Sequence, residues 1–216
     1  MYTLLLYTHI LALVYWLGGD LGTFLASRYV VRSDLTVEAR QSAFSILLEC
    51  DMGPKLAMPI ILGSGFHLIS FNWANVFPPE SPFIAWAVVI IWLGLVLAQH
   101  TQWGAHKPQL AKTDLALRYA IVVSVLAIAS VGWTSGLPTW VVLKMVIFGL
   151  LVACGIAVRY GLKPFAVAYG QMLSEGASPE TDATMNHQLA ICRRYVWMIW
   201  AGLFVNTALG VHLIVV

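Results

Sequence analysis

Long apolar segments alternate with short polar stretches along the whole chain. A helix needs about twenty predominantly apolar residues to cross the hydrocarbon core of a bilayer. Six segments approach or exceed that length, covering roughly residues 2–29, 56–71, 82–99, 115–133, 137–159 and 195–216. The pattern predicts one all-α domain over residues 1–216, a polytopic transmembrane helical bundle with six spans.

Two further stretches, residues 36–50 and 165–182, mix polar and apolar positions and are too charged to span a bilayer. We expect each of them to form a short interfacial or loop helix. The first apolar segment has no preceding Lys or Arg and no small-residue cleavage site. We therefore expect it to remain as a span rather than to act as a cleaved signal.

The composition agrees with this pattern. Hydrophobic residues make up 60% of the 216 positions and charged residues only 10%, whereas soluble domains average about 25% charged residues. So few charges cannot solvate a globule of this size, and the chain is predicted to be an integral membrane protein. The net charge of +2 gives no reason to expect nucleic acid as a partner.

The positive charges predict an orientation, because cytoplasmic loops are enriched in Lys and Arg. Four basic residues flank the first loop, three the third and four the fifth, namely Arg28, Arg32, Arg40, Lys55, Lys107, Lys112, Arg118, Arg159, Lys163, Arg193 and Arg194. The second and fourth loops and both termini carry none. This alternation predicts that both termini are outside, a topology of N-out and C-out. The expected location is the bacterial inner membrane.

The twelfth basic residue, Lys144, lies inside the fifth predicted span. An ammonium group there costs at least ~2.5–3.5 kcal/mol on insertion scales, so such residues usually have a function. The alternative is that the flexible side chain of Lys144 reaches the nearby outer surface.

Three histidines also lie inside predicted spans, and the topology gives their depths. At ~1.5 Å per residue, His9 and Lys144 lie ~9 Å below the outer ends of their helices, and His67 and His212 lie ~6 Å below theirs. Four polar groups from four helices are therefore expected in one layer near the outer face. Hydrogen bonding between helices is the alternative role for each of them.

Imidazole is the commonest metal ligand, and haem iron is held by axial side chains such as His. We therefore predict one haem b, with His9, His67, Lys144 and His212 as cofactor-binding residues and the three histidines as candidate metal ligands. A ladder of two haems is not expected, because no helix carries two histidines thirteen or fourteen residues apart. The other histidines, His100, His106 and His187, are expected at interfacial or solvated positions.

Two stretches resemble one group of bacterial membrane proteins. THILALVYWLGGDLGTFLASRYV, with His9 and Trp16, is similar to the first helix of HemJ-type protoporphyrinogen oxidases and the related CopD-like proteins. PTWVVLKMVIFGLLVACGIAVRY, with Trp140 and Lys144, is similar to another helix of that group. The resemblance implies haem b binding and a functional pair at His9 and Lys144. HemJ-type proteins typically have four helices, so haem binding is carried over more readily than protoporphyrinogen oxidation.

The leading hypothesis is a b-type haem protein of the membrane that serves in electron transfer or as an oxidoreductase subunit. A quinone or a redox partner protein would then exchange electrons with it, and association of several copies stays open. The alternatives are a non-catalytic membrane subunit or permease, and a copper-handling CopD-like protein. The methionines form no closely spaced run, which weakens a copper conduit.

Overall fold

A computed structural model describes residues 1–216, apart from the side chain of Ala105. The described residues form helices without any strand, at α1 (Tyr2–Val30), α2 (Val37–Asn72), α3 (Ser81–Gln99), α4 (Gln102–Ala105), α5 (Pro108–Thr134), α6 (Thr139–Glu175) and α7 (Pro179–Gly210). Four of these helices, α1, α3, α5 and α6, are long and apolar enough to cross a membrane. An apolar all-helical bundle is thus confirmed.

Successive long helices pack against each other, with the most extensive contacts between α1 and α2 and between α6 and α7. Helix α2 also contacts α3, α3 contacts α5, and α5 contacts α6. The main core lies between them and is filled by large apolar side chains, among them Trp16, Trp92, Phe148 and Val152.

Glycines allow α1 and α2 to approach closely. A Cβ atom on Gly19 would lie 2.5 Å from Pro54 Cδ, and one on Gly22 would lie 2.7 Å from Cys50 Sγ. Gly18, by contrast, has no atom within 4 Å of its Cβ position. The close packing therefore involves Gly19 and Gly22.

Helices α2, α6 and α7 are much longer than a bilayer requires, at 36, 37 and 32 residues. Their polar ends form a second, smaller core with the end of α1, built around Val30, Phe165, Met172 and Met185. The prediction of two separate short helices over residues 36–50 and 165–182 is therefore wrong. Most of these residues extend α2 and α6 without a break, because their apolar positions pack together in this second core.

A buried arginine holds the second core together. Arg40 of α2 is fully buried and donates to Val30 O at 2.7 Å and to Asp182 Oδ1 of α7 at 2.7 Å. Since burying an unpaired charge is costly, this pairing links the start of α2 to the ends of α1 and α7. A second buried pair joins α5 to α6, where Asp114 accepts from Arg118 at 3.0 Å and from Arg159 at 2.6 Å.

The last helix ends earlier than expected. Helix α7 stops at Gly210, and the amides of His212 and Leu213 donate to the carbonyls of Leu209 and Ala208, at 3.3 and 2.9 Å. This is the bonding pattern of a Schellman motif, whose left-handed position His212 occupies with φ 55°. The predicted span over 195–216 is thus shortened, and His212 lies beyond the helix rather than on it.

Candidate functional site

His9 lies on the inward side of α1 against α2. Its Nδ1 is 2.9 Å from Ser64 Oγ, and a Cβ on Gly65 would be 3.1 Å from His9 Cε1. A glycine at this position lets the imidazole ring lie against the backbone of α2. The contact between α1 and α2 therefore fixes the plane of the ring.

The hydrogen bonds around Ser64 determine which nitrogen of His9 carries the proton. Ser64 Oγ donates its single proton to Ile60 O at 2.6 Å, so it accepts from Nδ1–H of His9. In the neutral ring Nε2 then keeps a lone pair. His9 therefore offers one unprotonated nitrogen to a ligand.

Lys144 projects from α6 into the same region. It is close enough to His9 for its charge to act on the imidazole, and its Nζ would be 2.7 Å from a Cβ on Gly210. Asn206 of α7 donates to the Lys144 carbonyl at 3.4 Å. Among the described residues no carboxylate lies within ion-pair distance of this ammonium group.

His67 faces α3 instead. The indole Nε1–H of Trp86 donates to His67 Nδ1 at 3.2 Å. An indole is only a donor, so the neutral ring carries its proton on Nε2. Both nitrogens of His67 are then committed, and neither offers a lone pair to a metal in this arrangement.

His212 is exposed in the C-terminal turn. Its ring packs edge-on against Trp140, with centroids 5.0 Å apart, and the Trp140 ring lies 5.8 Å from Lys144 Nζ. Trp73 also packs against Trp140, with ring centroids 5.9 Å apart. His212 is thus linked to Lys144 through an aromatic side chain.

The four predicted site residues therefore do not meet at one point. The charge of Lys144 acts on His9 without a hydrogen bond between them, His212 adjoins Lys144 through Trp140, and His67 belongs to the contact between α2 and α3. The described residues contain no group of three His, Cys, Asp or Glu side chains that could hold a metal ion. The three candidate metal ligands do not form a single set.

A haem held by two imidazoles does not fit these residues. A haem here would be held by His9 alone, whose ring is oriented by Ser64. His67 does not provide a second iron ligand in this arrangement, because its Nδ1 accepts from Trp86.

Ser64 is the residue that the sequence interpretation missed. Counting back at ~1.5 Å per residue from the outer end of the second apolar segment places Ser64 at the depth of His9. The depth comparison considered only titratable side chains, so the hydroxyl partner of His9 went unnoticed.

The remaining predicted features fall elsewhere. His100, His106 and His187 are exposed. All three cysteines are free thiols. A groove of about 550 Å³ runs along α1 and α2 beside Gly18 and Cys50 and contains none of the four predicted site residues.

Comparison of the chain with protein-family models, with curated proteins and with solved structures gives no match. The candidate site therefore rests on the residues and contacts described above.

Proposed function

We propose that this chain is a multi-spanning protein of the bacterial inner membrane that binds one haem b at His9 and transfers electrons near the outer face. The observation that carries the proposal is the bond from His9 Nδ1–H to Ser64, which leaves Nε2 unprotonated beside the unpaired charge of Lys144. The resemblance of α1 and α6 to helices of HemJ-type proteins supports the same two residues, His9 and Lys144.

Ser64 and Lys144 have distinct tasks in this proposal. Ser64 holds the imidazole in one tautomer and one orientation, so that Nε2 points its lone pair in a fixed direction. Lys144 lacks a protein counterion and offers its ammonium group to an anion such as a propionate. Bound haem b supplies reversible one-electron chemistry, and a quinone or a redox protein is the proposed exchange partner.

We also propose six spans with both termini outside. Helices α2 and α7 are more polar than the four apolar ones, yet each pairs over its length with a spanning neighbour, α1 or α6. The loop after α1 and the start of α7 meet at one end, where Asn186 donates to Val31 O at 3.3 Å. Trp73, Trp140 and His212 meet at the other end. Most basic residues flank the first end, which is assigned to the cytoplasm.

Absorption spectra of the detergent-purified protein, oxidised and reduced with dithionite, test the haem proposal. We expect a Soret band and a reducible α-band in the wild type. His9→Ala removes the iron ligand and should abolish haem retention or give a high-spin spectrum. His100→Ala, at an exposed position, is the matched control and should leave the spectrum unchanged. Colourless wild-type protein from haem-replete cells would overturn the proposal.

The role of Lys144 is tested by Lys144→Met, which keeps the length of the side chain and removes its charge. A cation near the haem favours the reduced, less positive iron. We therefore expect haem to remain with a lower midpoint potential in a redox titration. A change of spin state instead would identify Lys144 as an iron ligand.

A non-catalytic membrane subunit is the second candidate. The observation in its favour is that both histidines already have partners on a neighbouring helix. His9 bonds to Ser64 and lies against Gly65, and His67 accepts from Trp86. Such contacts are expected where hydrogen bonds only join helices. Purification without any cofactor, together with loss of a partner's assembly on deletion, would support this candidate.

A further inference from the structure

A second polar site lies deeper along the same helix. Asp20 is eleven residues beyond His9 on α1, about 16 Å further toward the cytoplasmic side. Its oxygen Oδ2 is buried and has no hydrogen-bond partner. Among the described residues no Lys, Arg or His lies within ion-pair distance of this carboxyl group.

Other unpartnered polar atoms surround this carboxyl group. Trp200 of α7 is only 8% exposed and its Nε1–H has no acceptor, although the indoles of Trp16 and Trp200 both face Asp20. Thr23 Oγ1, about one turn further along α1, is also buried without a partner. Two buried oxygens of α1 and one buried N–H group of α7 are therefore without a hydrogen-bond partner in this part of the bundle, and the indoles are near enough to Asp20 to act on it as donors.

The charges on the neighbouring helices do not neutralise a carboxylate at this place. Asp51 of α2 is near enough to repel it, and is itself paired with Lys55 at 2.6 Å. Arg193 of α7 donates to Ser27 Oγ at 3.2 Å and lies over the Phe24 ring at 5.5 Å. Helix α6 contributes Phe148, which packs against Trp16, and has no charged residue between Lys144 and Arg159.

Burial, a neighbouring acid and the absence of a paired cation all disfavour an ionised carboxylate. The two indole N–H donors favour the carboxylate, although a donor can bond either form. A protonated carboxyl group still accepts from an indole N–H, and its O–H can in addition donate to Thr23 Oγ1, which a carboxylate cannot do. Intramembrane carboxyl groups in such surroundings act as proton carriers in other membrane proteins.

We propose that Asp20, Thr23 and Trp200 form an inner proton-binding site, at which Asp20 takes up a proton from cytoplasmic water and releases it again. The carboxylate oxygen gains the proton of a hydronium ion, water is left behind, and no electron is transferred. The site does not depend on haem. It adds proton uptake on the inner side to whatever chemistry occurs at the outer pair of His9 and Lys144.

Labelling with dicyclohexylcarbodiimide tests this proposal, because the reagent partitions into the membrane and reacts with protonated carboxyl groups. We expect the wild-type protein to be labelled at Asp20, as identified by peptide mass spectrometry, and labelling to increase as the pH falls. Asp20→Asn should lose the label, and Asp20→Glu should retain it. Glu49→Gln, which removes an exposed carboxyl group from α2, is the control and should not change the label.

A wild-type protein that remains unlabelled at low pH would overturn the proposal, and so would labelling that survives in Asp20→Asn. Infrared spectra of the wild type provide a second measurement if Asp20→Asn fails to fold. They should show the carbonyl band of a protonated acid that disappears on carbodiimide treatment, and its absence would contradict the site. Since neither measurement uses haem, a colourless protein leaves this test intact.

Discussion

At the scale of single residues, two adjacent glycines of α1 have opposite surroundings. Gly19 meets Pro54 and the carbonyl of Cys50, at 2.5 and 2.7 Å from its Cβ position, whereas Gly18 meets nothing within 4 Å. Neighbouring positions of the same residue type therefore have different tolerance for a methyl group, because only one of them points into the contact between helices.

We expect Gly19→Ala to destabilise the protein by about 1–3 kcal/mol, since overpacking forces the helices apart. Gly18→Ala is the matched control and should be neutral or slightly stabilising, because Ala is favoured over Gly in a helix by about 1 kcal/mol. Thermal unfolding in detergent measures both. Equal effects of the two substitutions would contradict the close packing of α1 on α2.

His212 combines an unfavourable backbone conformation with an aromatic contact. The left-handed conformation costs a non-glycine residue about 1–2 kcal/mol, and an edge-on aromatic pair contributes about 0.5–1.5 kcal/mol. His212→Gly loses the contact with Trp140 but relieves the strain, whereas His212→Ala loses the contact and keeps the strain. Hydrogen exchange of the Leu213 amide should therefore be faster in the Ala variant than in the Gly variant. The reverse order would argue against the Schellman ending.

At the scale of the elements, the long extensions of α2, α6 and α7 depend on buried charge as well as on apolar packing. Two arginines near the start of α2 show the difference that burial makes. Arg40 is fully buried, whereas the Arg32–Asp34 pair is 48% and 63% exposed.

Arg40→Met should cost about 3–5 kcal/mol, because it leaves Asp182 of α7 half-buried without its partner. Arg32→Met removes an exposed pair and should cost at most about 0.5 kcal/mol. Limited proteolysis at the turn between α6 and α7 reports the loosening, which we expect in the Arg40 variant alone. Similar protease resistance in both variants would mean that the second core does not need the buried arginine.

At the scale of the whole molecule, the number of spans decides on which side each loop lies. If α2 crosses, three spans separate Ser33 from Ser135 and the two residues face opposite sides. If only the four most apolar helices cross, two spans separate them and both residues face the same side. Both serines are exposed in turns.

Labelling with a membrane-impermeant maleimide distinguishes the two arrangements. We expect Ser135→Cys to react in intact cells and Ser33→Cys to react only after permeabilisation. The wild type, with its three free thiols, serves as the background. Burial raises the pKa of Cys192, so little of its thiolate is present near neutral pH and its share of this background should be small. Reaction of both introduced cysteines in intact cells would exclude six spans.

Local patterns predicted much of this architecture. Runs of apolar residues mark the apolar parts of the helices, because each helix must bury or expose a continuous apolar surface of bilayer length. The predicted ends of α2, α6 and α7 were less accurate, because long-range packing decides whether a helix continues. Pro54, Pro59 and Pro164 lie inside helices that continue past them.

The sequence by itself determined that the protein is apolar and all-helical. It also predicts comparable depths for His9 and Lys144, because in the proposed topology depth follows from counting residues along a helix. Only the tertiary structure decided which side chains meet, because contact depends on how each helix is rotated about its own axis. That rotation directs His9 to Ser64, His67 to Trp86 and His212 to Trp140. It also places Asp20 among the unpartnered groups of α7, a neighbourhood that no count of residues along one helix can supply.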